Sequence, residues 1–463
     1  MPKRRIFMKI IIAGAGKVGG TVAENLAAEG HDITVIERDA GTVYDISNKI
    51  DAICVQGNAT NAETLKEAGA ETADLVIAAT EQDEVNMVCG ISARKLGTAH
   101  VIARVRNTEY LSQRGFLRDA LGLSEIINPE YECAKEISRI LRFPSAARVD
   151  TFSKSNAEIV EYRVKADDAF VGEKLRDFNQ KFKARVLVAT VERDGGAIIP
   201  KGDFEVKEGD RLSIIGAAGE LKRFFTASGE YRRPVKRVVI MGGGRIAVYL
   251  SDLLADNGID VTVIEKDRER CEELTDLLPN PDDVICGDAT VSGVLREERI
   301  GSADAFVALT GDDGDNVITS FYAASCGAGK IVTKVNHEHY ADILDNSPID
   351  SIVAPGAIIS QQIARYVRGI DSPEGSRILN LYRIADEKAE ALEFSVDGEC
   401  RCTGKMLKEL KIKPNVLIAA LIRGGKTVIP DGATDIRPGD HAIVVTTSGW
   451  LKNLDDIVED GER

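Results

Sequence analysis

The chain is written twice, and this repetition constrains its fold more than any other feature. Gly14 recurs as Gly242 and Glu37 as Glu265, each 228 residues later. Thr80 and Asn86 recur as Thr310 and Asn316, Pro200 as Pro430, and Gly209-Asp210 as Gly439-Asp440, each 230 residues later. A register that drifts by two residues over this length means duplication of a whole two-domain unit. A solenoid would repeat every ~20–50 residues. At 463 residues the chain exceeds what one hydrophobic core sustains, so three or four domains are expected.

Each unit opens on the same local pattern. Ile10, Ile11, Ile12 and Ala13 read as a strand, followed by Gly14-Ala15-Gly16-Lys17-Val18-Gly19, a helix, and a second strand ending Thr34-Val35-Ile36-Glu37. A glycine triad between strand and helix is the dinucleotide fingerprint in its required context. Gly14 permits a tight turn, Gly16 lets backbone approach a pyrophosphate, and Gly19 lets the helix pack close to the sheet. The helix start then offers N–H donors and the positive end of a dipole. Glu37, 18 residues beyond Gly19, suits ribose hydroxyls. The second copy reads Gly242-Gly243-Gly244-Arg245-Ile246-Ala247 with Glu265; alanine is accepted at its third position.

Further residue pairs fall on the same side of the expected sheets. Carboxylates at Glu37 and Glu265 favour NAD or NADH over a 2′-phosphorylated cofactor, although Arg38 and Lys266 follow them directly. Lys17 and Arg245 share one slot in the two loops, where a cation reaches terminal phosphates or points into solvent; the former leaves ATP or ADP open as ligands. Thr80 and Thr310 close the fourth strands, and Arg104 and Lys334 stand near the ends of the fifth. Asn58-Ala59 and Asp288-Ala289 follow the third strands and would bound the adenine side. For the Thr, Asn and Asp residues the competing account is helix capping, and capping and ligand contact can coexist.

Apolar runs at 9–13, 33–37, 52–55, 75–79, 100–105 and 125–127, separated by helical segments, predict a parallel sheet covered on both faces. Val18, Val22 and Leu26, with Ile246, Leu250 and Leu254 in the copy, form the helix face packed on it. A helix at 129–142, stopped by Phe143-Pro144, and its equivalent at 356–368 join this domain to the next and could cross to a neighbouring subunit. Residues 157–225 read as a small α+β domain: strands at 157–164, 185–193 and 211–216, a short helix at 172–178, a hairpin turn at Gly195-Gly196, a short extended piece at 198–200 and a helix at 219–225. Its copy has strands at 389–396, 416–423, 426–430 and 441–446, a helix at 404–410 and a turn at Gly424-Gly425. Residues 227–234 read as the linker. The expected fold class is α/β: two tandem units, each a Rossmann-like doubly wound parallel sheet (8–128 and 235–354), a connecting helix (129–148 and 355–371) and a small α+β domain (149–228 and 376–456).

Composition narrows the function. A formal charge of −15 argues against nucleic acid while allowing a membrane protein with a basic face. No apolar run approaches bilayer length, and residues 1–5 read as a short tail or alternative start. The eight cysteines form no CxxC knuckles and read as reduced thiols; the close pair Cys400 and Cys402 could bind a soft metal, but a lone CxC without further ligands is a weak signal, so no metal is expected. Asp312-Asp313-Gly314-Asp315 lacks calcium-loop spacing, and His337-Glu338-His339 reads as structural. Tyr131 and Lys135 match a YxxxK dehydrogenase pattern, but no serine accompanies them and the copy has Gln361 and Arg365; helical neighbours are the better account. No catalytic residue is expected, and an NAD-dependent oxidoreductase with duplicated Rossmann domains is the alternative.

With these residues in view, the chain resembles tandem RCK (regulator of potassium conductance) units of Trk-type potassium uptake systems. The resemblance rests on Gly14 to Gly19 with Glu37, Gly57-Asn58-Ala59-Thr60, Ala79-Thr80 with Asn86, and their second-half partners. The family often has Asp where Asn58 stands, and Asp288 keeps it. The resemblance implies RCK C-terminal-type small domains and a cytosolic gating subunit responsive to NAD, NADH, ATP or ADP. It also implies a homotetramer, eight units per ring, on the inner face of a TrkH-like membrane channel or transporter subunit. Ala247 and Asn58 leave the two halves free to differ in ligand preference.

Overall fold

The computed structural model describes residues 8–143, 146–152, 157–229, 235–280, 283–336, 344, 347–370, 377–385, 387–398, 400–447 and 451–459. The tail at 1–5, most of the linker, Pro144 and His337-Glu338-His339 lie outside the described residues.

Uninterrupted apolar strands build two parallel sheets. The first contains, in chain order, Lys9–Ala13, Asp32–Glu37, Ile53–Gln56, Leu75–Ala78, His100–Arg104 and Glu125–Ile127. Their lateral order is 3-2-1-4-5-6, parallel throughout. The second repeats this order with Arg237–Met241, Asp260–Glu265, Val284–Cys286, Ala305–Ala308, Lys330–Lys334 and Ser351–Val353. The direction of winding reverses between strands one and four of each sheet. The loops leaving their carboxyl ends therefore diverge and open a crevice. Val18, Val22 and Leu26, and Ile246, Leu250 and Leu254, are buried against the sheets.

The two small domains are five-stranded antiparallel sheets. Each includes a strand that the sequence did not suggest. Arg148–Thr151 pairs with Ala157–Arg163, and Ile378–Ile384 with Ala389–Ser395. Arg148 and Asp150 break the apolar pattern that marks a strand. The hairpin turns at Asp194-Gly195, with φ of 53° and 73°, one residue earlier than expected. Gly196 already pairs with Arg193, and the short strand is Gly196–Ile198. Asp-Gly meets the positive-φ demand of such a turn. The short helices expected at 172–178 and 404–410 are 3-10 turns, Leu175–Asp177 (running into Phe178–Lys181) and Leu407–Glu409. The two small sheets share one core, in which Phe152, Ile159 and Ile215 meet Ile384, Ala420 and Ile443.

The helices joining large and small domains exchange partners. The first crossover helix, Pro129–Arg142, inserts Cys133, Ile137, Ile140 and Leu141 into the core of the second parallel domain, beside Leu250 and Leu254. The second, Pro355–Ile370, inserts Ile359, Ile363 and Val367 into the core of the first, beside Val22 and Leu26. The crossing is thus made to the other half of the same chain, because the tandem copy supplies a matching helix face within covalent reach. Ile359, Ile363 and Val367 are at most 2% exposed, and burying each contributes roughly 1.5–3 kcal/mol.

Polar contacts fix the register of this exchange. Asn25 Nδ2 donates to Ser360 Oγ at 2.9 Å, and Tyr249 Oη donates to the Arg106 carbonyl at 2.9 Å. Gly356 allows close approach: a Cβ there would lie a tight 3.1 Å from Thr21 Oγ1. Buried charges line the same interface. Arg148 bonds Gln361 at 3.0 Å and pairs with Asp150 at 2.9 Å, and Arg368 forks onto Glu390 at 2.9 Å. Among the described residues no helix is long and apolar enough to cross a membrane.

Candidate functional site: two glycine cradles

In the first cradle each glycine has a separate physical reason. Gly14 adopts φ 96°, and a Cβ there would stand 2.9 Å from the Thr80 nitrogen and 3.0 Å from the Ala79 carbonyl oxygen. A Cβ on Gly19 would stand 1.9 Å from the Gly14 oxygen, so helix and strand meet backbone to backbone. Gly16 differs: its φ is −66° and a Cβ would find nothing within 4 Å. The space above it opens onto the start of helix Lys17–Ala28, which no side chain caps. Uncapped first-turn N–H groups beside open space are the kind of donors that can receive an anion. Lys17 is exposed at this helix start, Val18 is buried, and Ala15 is half-buried.

Glu37 is a brace as well as a candidate ribose acceptor. Its carboxylate accepts from the Ala15 N–H at 2.8 Å, the Arg38 N–H at 2.6 Å and the Asp39 N–H at 3.2 Å. These bonds fix its rotamer against the glycine loop. Asn58 Oδ1 accepts from the Thr60 N–H at 3.1 Å and the Thr60 hydroxyl at 2.9 Å, shaping its own turn, with Ala59 buried beneath. Arg104 pairs with Glu130 of the first crossover helix at 3.0 Å, so a ligand phosphate would compete with that carboxylate.

Asn86, known from the sequence as a repeated position, brackets the two strand ends that flank the crevice. It is fully buried. Its Oδ1 accepts from the Thr80 N–H at 2.8 Å and the Thr80 hydroxyl at 2.7 Å, while Nδ2 donates to the Thr80 carbonyl at 3.1 Å and the Arg104 carbonyl at 2.9 Å. One side chain thus ties the end of strand four to the end of strand five. Asp83, which sequence reasoning missed, accepts from the Arg106 and Asn107 N–H groups at 2.9 and 2.8 Å. An acidic residue opening a helix gave no sign of that longer reach.

The second cradle repeats the frame with different filling. Gly242 has φ 95°, a Cβ there would lie 3.1 Å from the Thr310 nitrogen, and Gly244 again faces open space. Glu265 accepts from the Gly243 N–H at 2.7 Å and the Asp267 N–H at 2.8 Å. Asn316 binds Thr310 and the Lys334 carbonyl as Asn86 binds Thr80 and Arg104. Asp288 Oδ1 accepts from the Thr290 N–H at 2.9 Å, and Ala289 is buried. Two features are new. Leu274 fills the space where the first loop carries Ala15: a Cβ on Gly243 would meet Leu274 Cδ1 at 2.2 Å. Arg270, unmarked in the sequence, donates from Nε to the Gly243 carbonyl at 2.8 Å and adds a cation to this loop. Arg245 is exposed and Ile246 buried at the helix start, as Lys17 and Val18 are in the first copy.

Lys334 of the second half lies near charged groups of the first. Burial pushes the Lys334 ammonium below its ordinary pKa; Cys133 and Asp313 oppose this, and Lys17 of the first loop reinforces it. Lys334 of the second half is therefore within electrostatic range of the first glycine loop. Tyr131 and Lys135 have structural uses: the Tyr131 ring packs edge-on against Tyr249, with centroids 5.4 Å apart, and Lys135 pairs with Glu132 at 3.0 Å. Asp312 caps its helix by accepting from the Asp315 N–H at 2.8 Å, and Asp313 accepts from the Asn336 N–H. A cavity of about 330 Å³ lies away from both loops, between strand Glu125–Ile127 and the second crossover helix, with Tyr366 and Arg365 on its wall.

Comparison with known proteins matches this architecture. The TrkA-N domain model matches residues 10–129 and 238–355, and the TrkA-C domain model matches 159–228 and 391–458. The Trk system potassium uptake protein TrkA homolog of Archaeoglobus fulgidus is 32% identical over 451 residues, covering 97% of this chain and 100% of the relative. The Trk system potassium uptake protein TrkA of Haemophilus influenzae is 32% identical over 457 residues, covering 97% and 98%. Among solved structures, the GsuK RCK domain superposes with a TM-score of 0.62 at 20% identity, covering 97% of this chain and 94% of that one. The GsuK channel bound to NAD gives 0.62 at 20% identity, covering 97% and 78%. The chain belongs to the family of Trk system potassium uptake protein TrkA, as two TrkA-N domains each followed by a TrkA-C domain.

Proposed function

We propose that this chain is a nucleotide-binding regulatory subunit of a potassium uptake system and works without making or breaking a covalent bond. The observation that carries the reading is the pairing of two uncapped glycine cradles with crossover helices that each enter the opposite half. A ligand seated in one cradle sits at the start of a helix whose packed face is covered by the other unit's crossover helix, which suits a sensor. Relatives named for potassium uptake, and the likeness in fold to a channel bound to NAD, support the same reading.

In this proposal the pyrophosphate lies over Gly16 or Gly244, at the start of each helix. Glu37 or Glu265 meets ribose hydroxyls, Asn58-Ala59 or Asp288-Ala289 flanks adenine, and Lys17 or Arg245 meets the outer phosphates. NAD, NADH, ATP and ADP are the candidate ligands. The subunit would assemble as a homotetramer on a TrkH-like membrane partner at the inner face of the cell membrane. Ligand binding would move the partner only to the extent that it prefers one arrangement of the halves.

Gly16 and Gly244 allow a clean test, since both have ordinary negative φ and room for a side chain. Gly16→Val and Gly244→Val should each remove calorimetric nucleotide binding from one half while leaving thermal unfolding unchanged. Undiminished binding at both halves of the double variant would refute the site. Hydride transfer to a small keto compound would point to an oxidoreductase instead.

A further inference from the structure

The two small domains share a backbone but part company at one cluster. In the first, Phe170 stacks on Phe224 with centroids 5.3 Å apart, and Tyr162 packs on Phe225 at 5.4 Å. Phe170 is fully buried. Matching backbone hydrogen bonds align the second domain with it. The Gly172 N–H to Val206 carbonyl bond becomes Gly404 to Ile436, and Val171 to Asp168 becomes Thr403 to Cys400. Cys400 and Cys402 therefore occupy the places of Asp168 and Phe170. Asp455 stands fifteen residues after Asp440, as Phe225 does after Asp210. Where one copy builds an aromatic nucleus, the other brings two thiols and a carboxylate together.

These three groups converge on one point. The Cys400 and Cys402 sulfurs lie 2.7 Å apart, and the Asp455 carboxylate lies within 4.8 Å of both. Cys402 is fully buried, with Cys400 and Asp455 half-buried beside it. Asp455 is held in place by Arg401: the Arg401 N–H donates to Oδ1 at 2.7 Å, and its guanidinium donates to the Asp455 carbonyl at 2.8 Å. A sulfur separation of 2.7 Å is shorter than the ~3.8 Å expected between two thiolates on one tetrahedral ion with bonds of about 2.3 Å. A rotation at the half-buried Cys400 supplies the difference.

We propose that Cys400, Cys402 and Asp455 form a binding site for a thiophilic divalent cation of the zinc class, with water completing a tetrahedral shell. Soft thiolates with one carboxylate select such an ion over magnesium or calcium. The ion takes the place of the missing aromatic nucleus: it pins the turn Leu454–Ile457 to the second small domain, as structural metals do where a core is small. Asp455 lies more than fifty residues beyond the cysteines, which is why the pair alone read as ordinary thiols.

The test uses the full reduced chain, stripped with a chelator and titrated with Co²⁺ and then Zn²⁺. One ion per chain is expected by native mass spectrometry, with a thiolate-to-cobalt charge-transfer band and a zinc Kd below about 1 μM, of the strength that thiolate sites reach. Cys402→Ser should weaken binding at least a hundredfold and Asp455→Asn about tenfold. The asparagine variant and the unmodified chain's own spectrum decide the matter if the cysteine variant fails to fold. Absence of the charge-transfer band, equal affinity in all variants, or a Cys400–Cys402 disulfide with no metal uptake after reduction would each overturn the proposal.

Discussion

Replacing Asn86 by leucine keeps the volume and removes four hydrogen bonds. The Thr80 N–H, the Thr80 carbonyl and the Arg104 carbonyl would lose their partner in a place where Asn86 itself is fully buried. An unsatisfied buried polar group costs about 1–3 kcal/mol. Leucine recovers part of that through apolar burial, leaving a net loss on the order of 3–5 kcal/mol. The loss should be local, because Asn86 joins only the ends of strands four and five. A chain of several domains does not unfold in one step, so a global midpoint is the wrong readout. Hydrogen exchange at Thr80 and Val105 is the right one: about 3 kcal/mol corresponds to exchange faster by roughly a hundredfold. Nucleotide affinity in the first half should fall at least tenfold with it. Asn316→Leu should do the same at Thr310 and Val335 and spare the first half. If exchange at both strand ends stayed within threefold of the unmodified chain, the bracket would not be what holds the crevice.

Two further outcomes follow from the exchanged helices. Burial, with Asp150 nearby, pushes the Glu136 carboxyl up to about 7 from 4.5, against the pull of Arg148 and Arg139. The unfolded chain loses this proton near 4.5 while the folded chain keeps it to about 7. Stability should therefore fall as pH rises through that window, by up to ~3 kcal/mol, and Glu136→Gln should flatten the slope in chemical denaturation measured from pH 4.5 to 8. Gly356→Leu should push the second crossover helix off helix Lys17–Ala28 and cost about 1–3 kcal/mol of overpacking. Gly219→Leu, where nothing lies within 4 Å, should cost far less, each variant being read by hydrogen exchange in its own helix.

Much of the molecule was legible because two local signals reinforce one another. A short β-rich apolar run such as Ile10 to Ala13, ended at once by Gly14, reads as a buried strand, and Gly14 with Gly19 in this spacing marks a tight strand-to-helix turn. What stayed hidden depends on distance. The face Cys133, Ile137, Ile140 and Leu141 says that a helix is buried, but not that its cover is the other half of the chain. Arg148–Thr151 has a strand's geometry and a loop's composition, because Arg148 is paired with Asp150 on the same strand and hydrogen-bonded by groups far away in sequence, Gln361 and the Arg383 carbonyl. Glu37 and Glu265 were read as waiting for ribose, whereas each also grips its own glycine loop. Arg270 is one more charged residue on a charged helix until the fold lays it over Gly243.

The claim at the centre of this account is that a ligand in one cradle is felt in the other half. Hydrogen exchange on Gly244→Val, with nucleotide able to enter only the first cradle, tests it most directly. Added protection is expected in helix Lys17–Ala28, in both crossover helices and in helix Arg245–Ala255 of the second unit. Protection confined to residues 14–28, with the crossover helices and the second unit unchanged, would contradict it.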